Sequence, residues 1–394
     1  MEDIMKKTFL LFILALCSIA LFAQNENWLW AKQAGGPNHD YGYSIAVDAN
    51  GNSYIIGSFW SIATFGNTTL TSSGGYYTDI YVAKLDSKGN WLWANKAGGL
   101  NWDYGYSIAV DANGNSYVTG CHLSSATFGT ITLTSSGGYD IFIAKLDSSG
   151  NWLWAKKAGG TSDDYSRSIT VDDNGNSYVT GDFRSSATFG TTILNTSGYN
   201  DIFVAKLDIN GNWLWAKKAG GTSEDKGYSI ALDANGNSYV TGCFSGIATF
   251  GTTTITSSGD KDIFVAKMDS NGNWLWAKKA GGTSYDYGCC IAVDDNGNSY
   301  VTGDFAESAT FGTTTLTSSG YDDIFVAKMD SNGNWLWAKK AGGQSNDGGR
   351  SITVDDNGNS YVTGYFEEST TFGITTLTSS GDYEIFVAKI RRCK

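Results

Sequence analysis

The sequence predicts an all-β chain, a six-bladed β-propeller of four-stranded antiparallel blades closed by its N-terminal strand. Three observations predict it. The stretch NWLWAKKAGG, cleanest from Asn212 to Gly221, recurs six times with at most one residue changed, beginning at Asn27, Asn90, Asn151, Asn212, Asn273 and Asn334. The first step is 63 residues and the others are 61, and a fixed period of this kind decides the architecture before any single residue does. Fifty glycines, a single proline and many Thr, Ser, Asn and aromatic residues suit short strands joined by tight turns. Finally, the first copy begins at the last strand type of a unit and the final copy stops after the third. The closing blade must then take its fourth strand from the N-terminus, with Trp28-Leu29-Trp30 pairing the strand that holds Ile385-Phe386-Val387. That arrangement removes the free sheet edges.

One unit reads in order as follows. Ser229-Ile230-Ala231-Leu232-Asp233 has the period-two apolar pattern of a short inner strand. Asp233-Ala234-Asn235-Gly236-Asn237 is a tight turn, with the aspartate accepting local N–H groups and Asn-Gly supplying a positive φ. Ser238-Tyr239-Val240-Thr241-Gly242 is the second strand. A Thr-rich excursion from Ala248 to Gly259 is long enough for a small extra hairpin. Asp262-Ile263-Phe264-Val265-Ala266-Lys267 is the third strand, and the turn Asp269–Asn273 leads into Trp274-Leu275-Trp276, the fourth. Such a meander cannot bury both of its faces alone. Stacking blades buries them, with Trp274 and Trp276 on one face and Leu275 on the other.

Residues 1–23 differ from everything that follows. Lys6 and Lys7 precede an apolar run, and Phe22-Ala23-Gln24 offers a small-residue cleavage point, the pattern of a Sec signal peptide. Lipidation at Cys17 is the weaker alternative, because the residue before the cysteine fits poorly. The remaining span, 24–394, divides into repeats at 27–89, 90–150, 151–211, 212–272, 273–333 and 334–394. The expected location is therefore secreted or cell envelope, with no membrane span in the mature protein. A net charge of -12 argues against nucleic acid as a partner. Five cysteines outside the leader, Cys121, Cys243, Cys289, Cys290 and Cys393, are an odd number and no disulfide framework.

The phrases D-x-N-G-N-S-Y-V-T-G, D-I-F-V-A-K-L-D and N-W-L-W-A resemble the bacterial SBBP-type β-propeller repeat over residues 27–390. The I-A-V-D-x-x-G-N core is also similar to NHL-type blades. The resemblance implies an exported or cell-surface propeller with no catalytic residues to carry over. That family is usually seven-bladed, and six copies depart from it.

Candidate functional residues come from comparing the six units with one another. Turn aspartates such as Asp172 faintly match the start of an EF-hand loop, but the glycine is misplaced and no Glu stands at the twelfth position. The two histidines, His39 and His122, lie in different units and form no nucleophile–base or metal pattern. Sequence varies mainly in two segments, one after Gly-Gly and one after Thr-Gly, which share the blade face opposite the Asn-Gly turns. Loops on a rigid scaffold are where binding surfaces are built. Trp60 and Trp102 lie there, outside the WLW pattern.

At one position before the inner strand the units carry Tyr43, Tyr106, Arg167, Tyr228, Cys289 and Arg350. Arg167 and Arg350 are three blades apart and face each other across a six-fold axis. They either pair locally with Asp164 and Asp347 or clamp an anionic group. Every unit also has an aspartate in the loop before the inner strand: Asp40, Asp103, Asp164, Asp225, Asp286 and Asp347. These either bond their own loops or converge on the axis as a calcium site. No other cofactor is expected. The functional expectation is a non-catalytic binding or adhesion scaffold, holding an unknown protein or glycan on the variable-loop face. A structural envelope or matrix component and a carbohydrate-active enzyme are the alternatives.

Overall fold

The computed structural model describes residues 29–391, which fall into two units, Met1–Gln33 and Ala34–Lys394. Of the first unit, the described residues 29–33 form no strand. The signal-peptide reading of 1–23 and the pairing assigned to Trp28 lie outside the described residues.

The second unit is built of antiparallel blades. In the second blade an inner strand, Asp103–Val110, pairs with Ser116–Phe128, which pairs with Ile131–Leu146, which pairs with the outer strand Trp152–Ala158. Inner strands Asp40–Val47, Tyr165–Val171, Lys226–Leu232 and Asp286–Val293 open four further blades of the same order. The last blade has three strands among the described residues: Gly348–Val354, Ser360–Phe372 and Thr375–Ile390.

Each hairpin turn is held by its aspartate. Asp111 accepts the Asn113 and Asn115 N–H groups on Oδ1 at 3.0 and 2.9 Å, and Asn115 Nδ2 on Oδ2 at 2.8 Å. The Lys series at the end of the third strand lies over the second-strand tyrosines, with Lys145 Nζ 4.6 Å from the Tyr117 ring and 3.9 Å from Asp111.

Five core clusters form between neighbouring blades, while a sixth, of Phe59, Ala63, Phe65, Tyr81, Ala83 and Ala94, lies within the first. Tyr54, Ile56, Ile80 and Val82 of the first blade pack with Ile108, Val118, Phe128 and Phe142 of the second. Of the two outer-strand tryptophans, the first packs on its own blade, Trp152 meeting Phe128 edge-on at 5.2 Å, although Trp335 Nε1 also donates to Lys279 O of the preceding blade at 3.3 Å. The second reaches across, Trp154 Nε1 donating to Ile209 O in the next blade at 3.1 Å. The leucine between them is half exposed, as at Leu153 and Leu275. Both faces of the outer strand are nonetheless packed, Ala155 in the core shared with the preceding blade and Ala158 in that shared with the following one, while Leu153 is the residue that the bulge between Trp152 and Trp154 skips.

The Thr-rich excursion is the expected hairpin, but it belongs to an inter-blade clasp. Gly98 and Gly99 at the end of one outer strand pair with Thr127 and Ala126 of the next blade's hairpin. A Cβ on Gly99 would lie 1.8 Å from Ser125 O. The double glycine that ends NWLWAKKAGG is what lets two backbones touch.

Closure is not complete among the described residues. Strand Thr375–Ile390 pairs with Ser360–Phe372 alone among the described residues. Ile385 and Val387 are 84% and 77% exposed, whereas their counterparts Ile141 and Val204 are fully buried against the following blade. Ile45 and Val47 on the first inner strand are 62% and 60% exposed, against 5% for Ile108. Among the described residues the two end faces are thus left unpacked, and the last blade shows three strands, with Phe372 packed on Phe386.

Candidate binding site at the channel mouth

The six rim positions owe their placement to a defect in strand pairing. In every blade the inner strand carries a β-bulge, and the residue skipped by the ladder is Tyr43, Tyr106, Arg167, Tyr228, Cys289 or Arg350. A bulge turns an extra side chain out of the alternating pattern. All six line one cavity of about 580 Å3, together with Tyr287, Asp304, Asp322 and Tyr365.

Arg167 and Arg350 therefore share a cavity, as their period predicts, but their partners are not Asp164 and Asp347. Arg167 Nε donates to Asp182 Oδ1 at 2.6 Å, and Asp182 Oδ2 accepts from Asn200 Nδ2 at 2.8 Å. The Arg167 guanidinium lies 5.5 Å from the centroids of Tyr165 and of Tyr228. Arg350 reaches into the preceding blade, where Nη1 donates to Asp304 Oδ1 at 2.6 Å and to Cys289 Sγ at 2.9 Å. Its Nη2 donates to the Tyr365 hydroxyl at 3.0 Å. Between these, Cys243 Sγ donates to the Tyr228 hydroxyl at 3.4 Å. Asp182, Asp304, Asp322, Tyr287 and Tyr365 were not legible as site residues from the rim position alone. The signal lay one strand away, where Ser58, Cys121, Asp182, Cys243, Asp304 and Tyr365 differ at a single repeat position.

Trp60 and Trp102 do not line the cavity, yet they connect to it. Rings run from Trp60 to His39, Tyr41 and Tyr43 with centroids 6.3, 6.2 and 6.0 Å apart, each pair stacked. Tyr43 meets Tyr106 at 5.7 Å, and Tyr104 and Trp102 follow at 6.0 and 6.2 Å, stacked again. Trp60 Nε1 is tied to Gly75 O at 3.0 Å.

The aspartate series is scaffold and does not form a ring. Asp103 Oδ2 accepts Gly99 N–H at 2.7 Å, and Oδ1 accepts Leu123 N–H at 3.3 Å, joining one blade's outer strand to the next blade's second strand. Asp40, Asp164, Asp225, Asp286 and Asp347 hold Gly36, Gly160, Gly221, Gly282 and Gly343 in the same way. Each sits at its own blade junction, so an ion on the axis would find none of them. Among the described residues no group of three or more His, Cys, Asp or Glu side chains is placed to hold a metal.

Comparison with known proteins agrees with this geometry. The pattern described as SBBP, beta-propeller repeat, matches residues 29–61, 96–120, 153–182, 214–242, 275–304 and 336–365. The chain belongs to the SBBP β-propeller repeat proteins. Within this SBBP chain the matched segments centre on the outer strand, inner strand and second strand of successive units. An uncharacterized WD repeat-containing protein of Acanthamoeba polyphaga mimivirus is 25% identical over 93% of this chain and 33% of its own length. The regulatory protein FlaEY of Caulobacter vibrioides is 28% identical over 74% of this chain and 33% of its own. The chain thus spans about a third of the length of these curated relatives. Among solved structures, YCF48 bound to D1 peptide is 11% identical, covers 90% of this chain and 84% of its own, and has a TM-score of 0.41. A regucalcin from Agrobacterium tumefaciens, titled a calcium-binding protein, is 10% identical with a TM-score of 0.35, covering 82% of this chain and 81% of its own. No helix among the described residues is long and apolar enough to cross a membrane.

Proposed function

We propose that this SBBP chain is an exported, non-catalytic binding scaffold whose six blades form a closed ring and present the channel mouth to a protein or glycan partner. One observation carries the reading. The bulge residues of all six blades line a single cavity of about 580 Å3 and are Tyr in three blades, Arg in two and Cys in one, while the packing positions around them repeat. A scaffold that needs only to stack has no use for such variation. Export rests on the charged and apolar pattern of residues 1–23.

Ring closure is supported by a junction already half made. Gly35 bridges Thr64, and Gly36 N–H donates to Asp40 at 2.7 Å, as the Gly-Gly pairs do at the other junctions. The register of the complete blades, in which Ala94 faces Ala83 and Trp93 faces Lys84, would set Ala31 opposite Ala388 and Trp30 opposite Lys389.

Burial raises the Tyr106, Tyr228 and Cys289 groups above their ordinary values, so they stay protonated at neutral pH. None is an activated nucleophile, which favours binding over catalysis. The test is capture from native envelope extract on the immobilised chain, beside a Tyr43→Ala, Tyr106→Phe variant of unchanged melting. The reading expects a component retained by the first and lost from the second. Equal retention, or none, would leave only a structural role.

A further inference from the structure

The channel mouth holds two arginines of unlike condition, and the difference points to a ligand. Arg350 is used up: its two terminal nitrogens serve Asp304, Cys289 and Tyr365. Arg167 is held only by Nε, on Asp182, and by the two tyrosine rings beside it. Among the described residues no protein acceptor takes its terminal nitrogens, and its side chain keeps 30% of its exposure on the cavity. Asn200 fixes Asp182 in turn. A guanidinium clamped at Nε and flanked by rings offers its outer edge, two parallel N–H groups, with little left to order on binding.

Asp322 supplies the opposite feature. It lines the same cavity, and among the described residues its carboxylate has no ion pair or hydrogen bond. Burial raises it above the ordinary carboxylate range, with Arg350 opposing. Asp182, Asp304 and Asp322 together would repel a dianion such as phosphate. A planar monoanion with a cation nearby suits one open guanidinium edge and one unpaired carboxylate.

The rings argue for peptide over sugar. From Trp60 to Tyr43 and from Tyr106 to Trp102 each ring is stacked on its neighbour, with interplanar angles between 3° and 22°. Rings standing parallel along a strand turn their faces toward one another, so a pyranose would have to enter the row to stack, whereas edges and hydroxyls such as those of the exposed Tyr41 and Tyr43 meet polypeptide as tyrosine-rich surfaces do.

We infer that the channel mouth binds the C-terminal end of a peptide, its carboxylate on Arg167 and a basic side chain facing Asp322. This rests on the binding role proposed above and names its ligand class. The test is calorimetric titration of the intact chain with the tripeptide Gly-Gly-Lys, its C-terminal amide and its Nε-acetyl form, with chito-oligosaccharide and inorganic phosphate beside them. The free acid should bind roughly tenfold or more tighter than the amide. Arg167→Lys, which can still pair with Asp182, should erase that preference without changing the melting curve. Asp322→Asn should erase the preference for lysine over acetyl-lysine and leave the acid preference intact. Equal affinity for acid and amide, a preference that survives Arg167→Lys, or tighter binding of the oligosaccharide or of phosphate would each overturn the inference. Envelope capture that depends on Tyr43 and Tyr106 without any peptide preference would overturn the ligand class alone and leave the binding role standing.

Discussion

Asp79 and Asp103 approach the same glycine from two different blades. A Cβ on Gly98 would lie 2.7 Å from Asp79 Oδ1 and 3.0 Å from Asp103 Oδ2. Both carboxyls are fully buried, and Asp79 Oδ1 has no hydrogen-bond partner. The arrangement recurs at Asp140 with Asp164, Asp201 with Asp225, and Asp262 with Asp286, flanking Gly159, Gly220 and Gly281. Burial, with the facing carboxylate adding to it, pushes Asp103 and Asp286 up to about 8 and Asp164 and Asp225 up to about 7. A carboxyl raised on folding contributes stability that is complete below its unfolded value, near 3.8, and is lost as pH climbs through the folded one. The melting temperature should therefore fall between pH 5 and 9, in scans by circular dichroism. Asp140→Asn supplies a fixed donor toward Asp164 and should flatten part of that fall. A melting temperature that rises across this range would contradict the assignment.

His122 occupies a position that is Phe59, Phe183, Phe244, Phe305 and Phe366 in the other five blades. It is fully buried, its Nε2 has no partner, and burial lowers it to about 4. A histidine depressed on folding withholds stability as pH falls from its unfolded value toward the folded one. Replacing it by the residue its own repeat prefers removes an unpaired buried group. His122→Phe should raise stability by about 1 kcal/mol in urea titrations at pH 7, and by more at pH 5. A destabilised variant would mean that the Nδ1 contact to Ser124 O at 3.2 Å outweighs the orphaned nitrogen.

Gly99→Ala tests the clasp between blades. The methyl group would sit 1.8 Å from Ser125 O, a backbone atom that cannot move aside without breaking the pairing of Gly98 and Gly99 to the next hairpin. A loss of about 3 kcal/mol or more, or no soluble protein, is expected. Gly381→Ala, with nothing within 4 Å of the added carbon, is the matched control and should be near neutral.

Much of the fold was readable because the same sentence is written six times. The Asn-Gly turns and the four strand types follow from local chemistry, which a sequence carries directly. What was not readable depends on register. The bulge at Arg167 exists only when Ser166 and Ser168 are matched to Gly181 and Thr180, so its partner Asp182 could not be chosen over Asp164. The aspartate ring failed for a related reason. A residue repeated in every unit marks a contact made at every junction, and Asp103 meets the glycine before it, not its own equivalents around the axis. Leu153 shows the limit of pattern alone, since alternation does not reveal the bulge between Trp152 and Trp154 that leaves it half exposed.

The central claim is that six blades make one closed ring, so that Tyr43 of the first blade and Arg350 of the last belong to a single site. In such a ring Ala31 and Ala388 would be directly opposite, as Ala94 faces Ala83 in a complete blade. Directly paired positions in antiparallel strands come within disulfide reach. In the double variant Ala31→Cys, Ala388→Cys, mild oxidation should give a monomer with an intrachain link between residues 31 and 388, read by peptide mapping under non-reducing conditions. A variant that stays unlinked, or that links only between two copies, would contradict the closed ring.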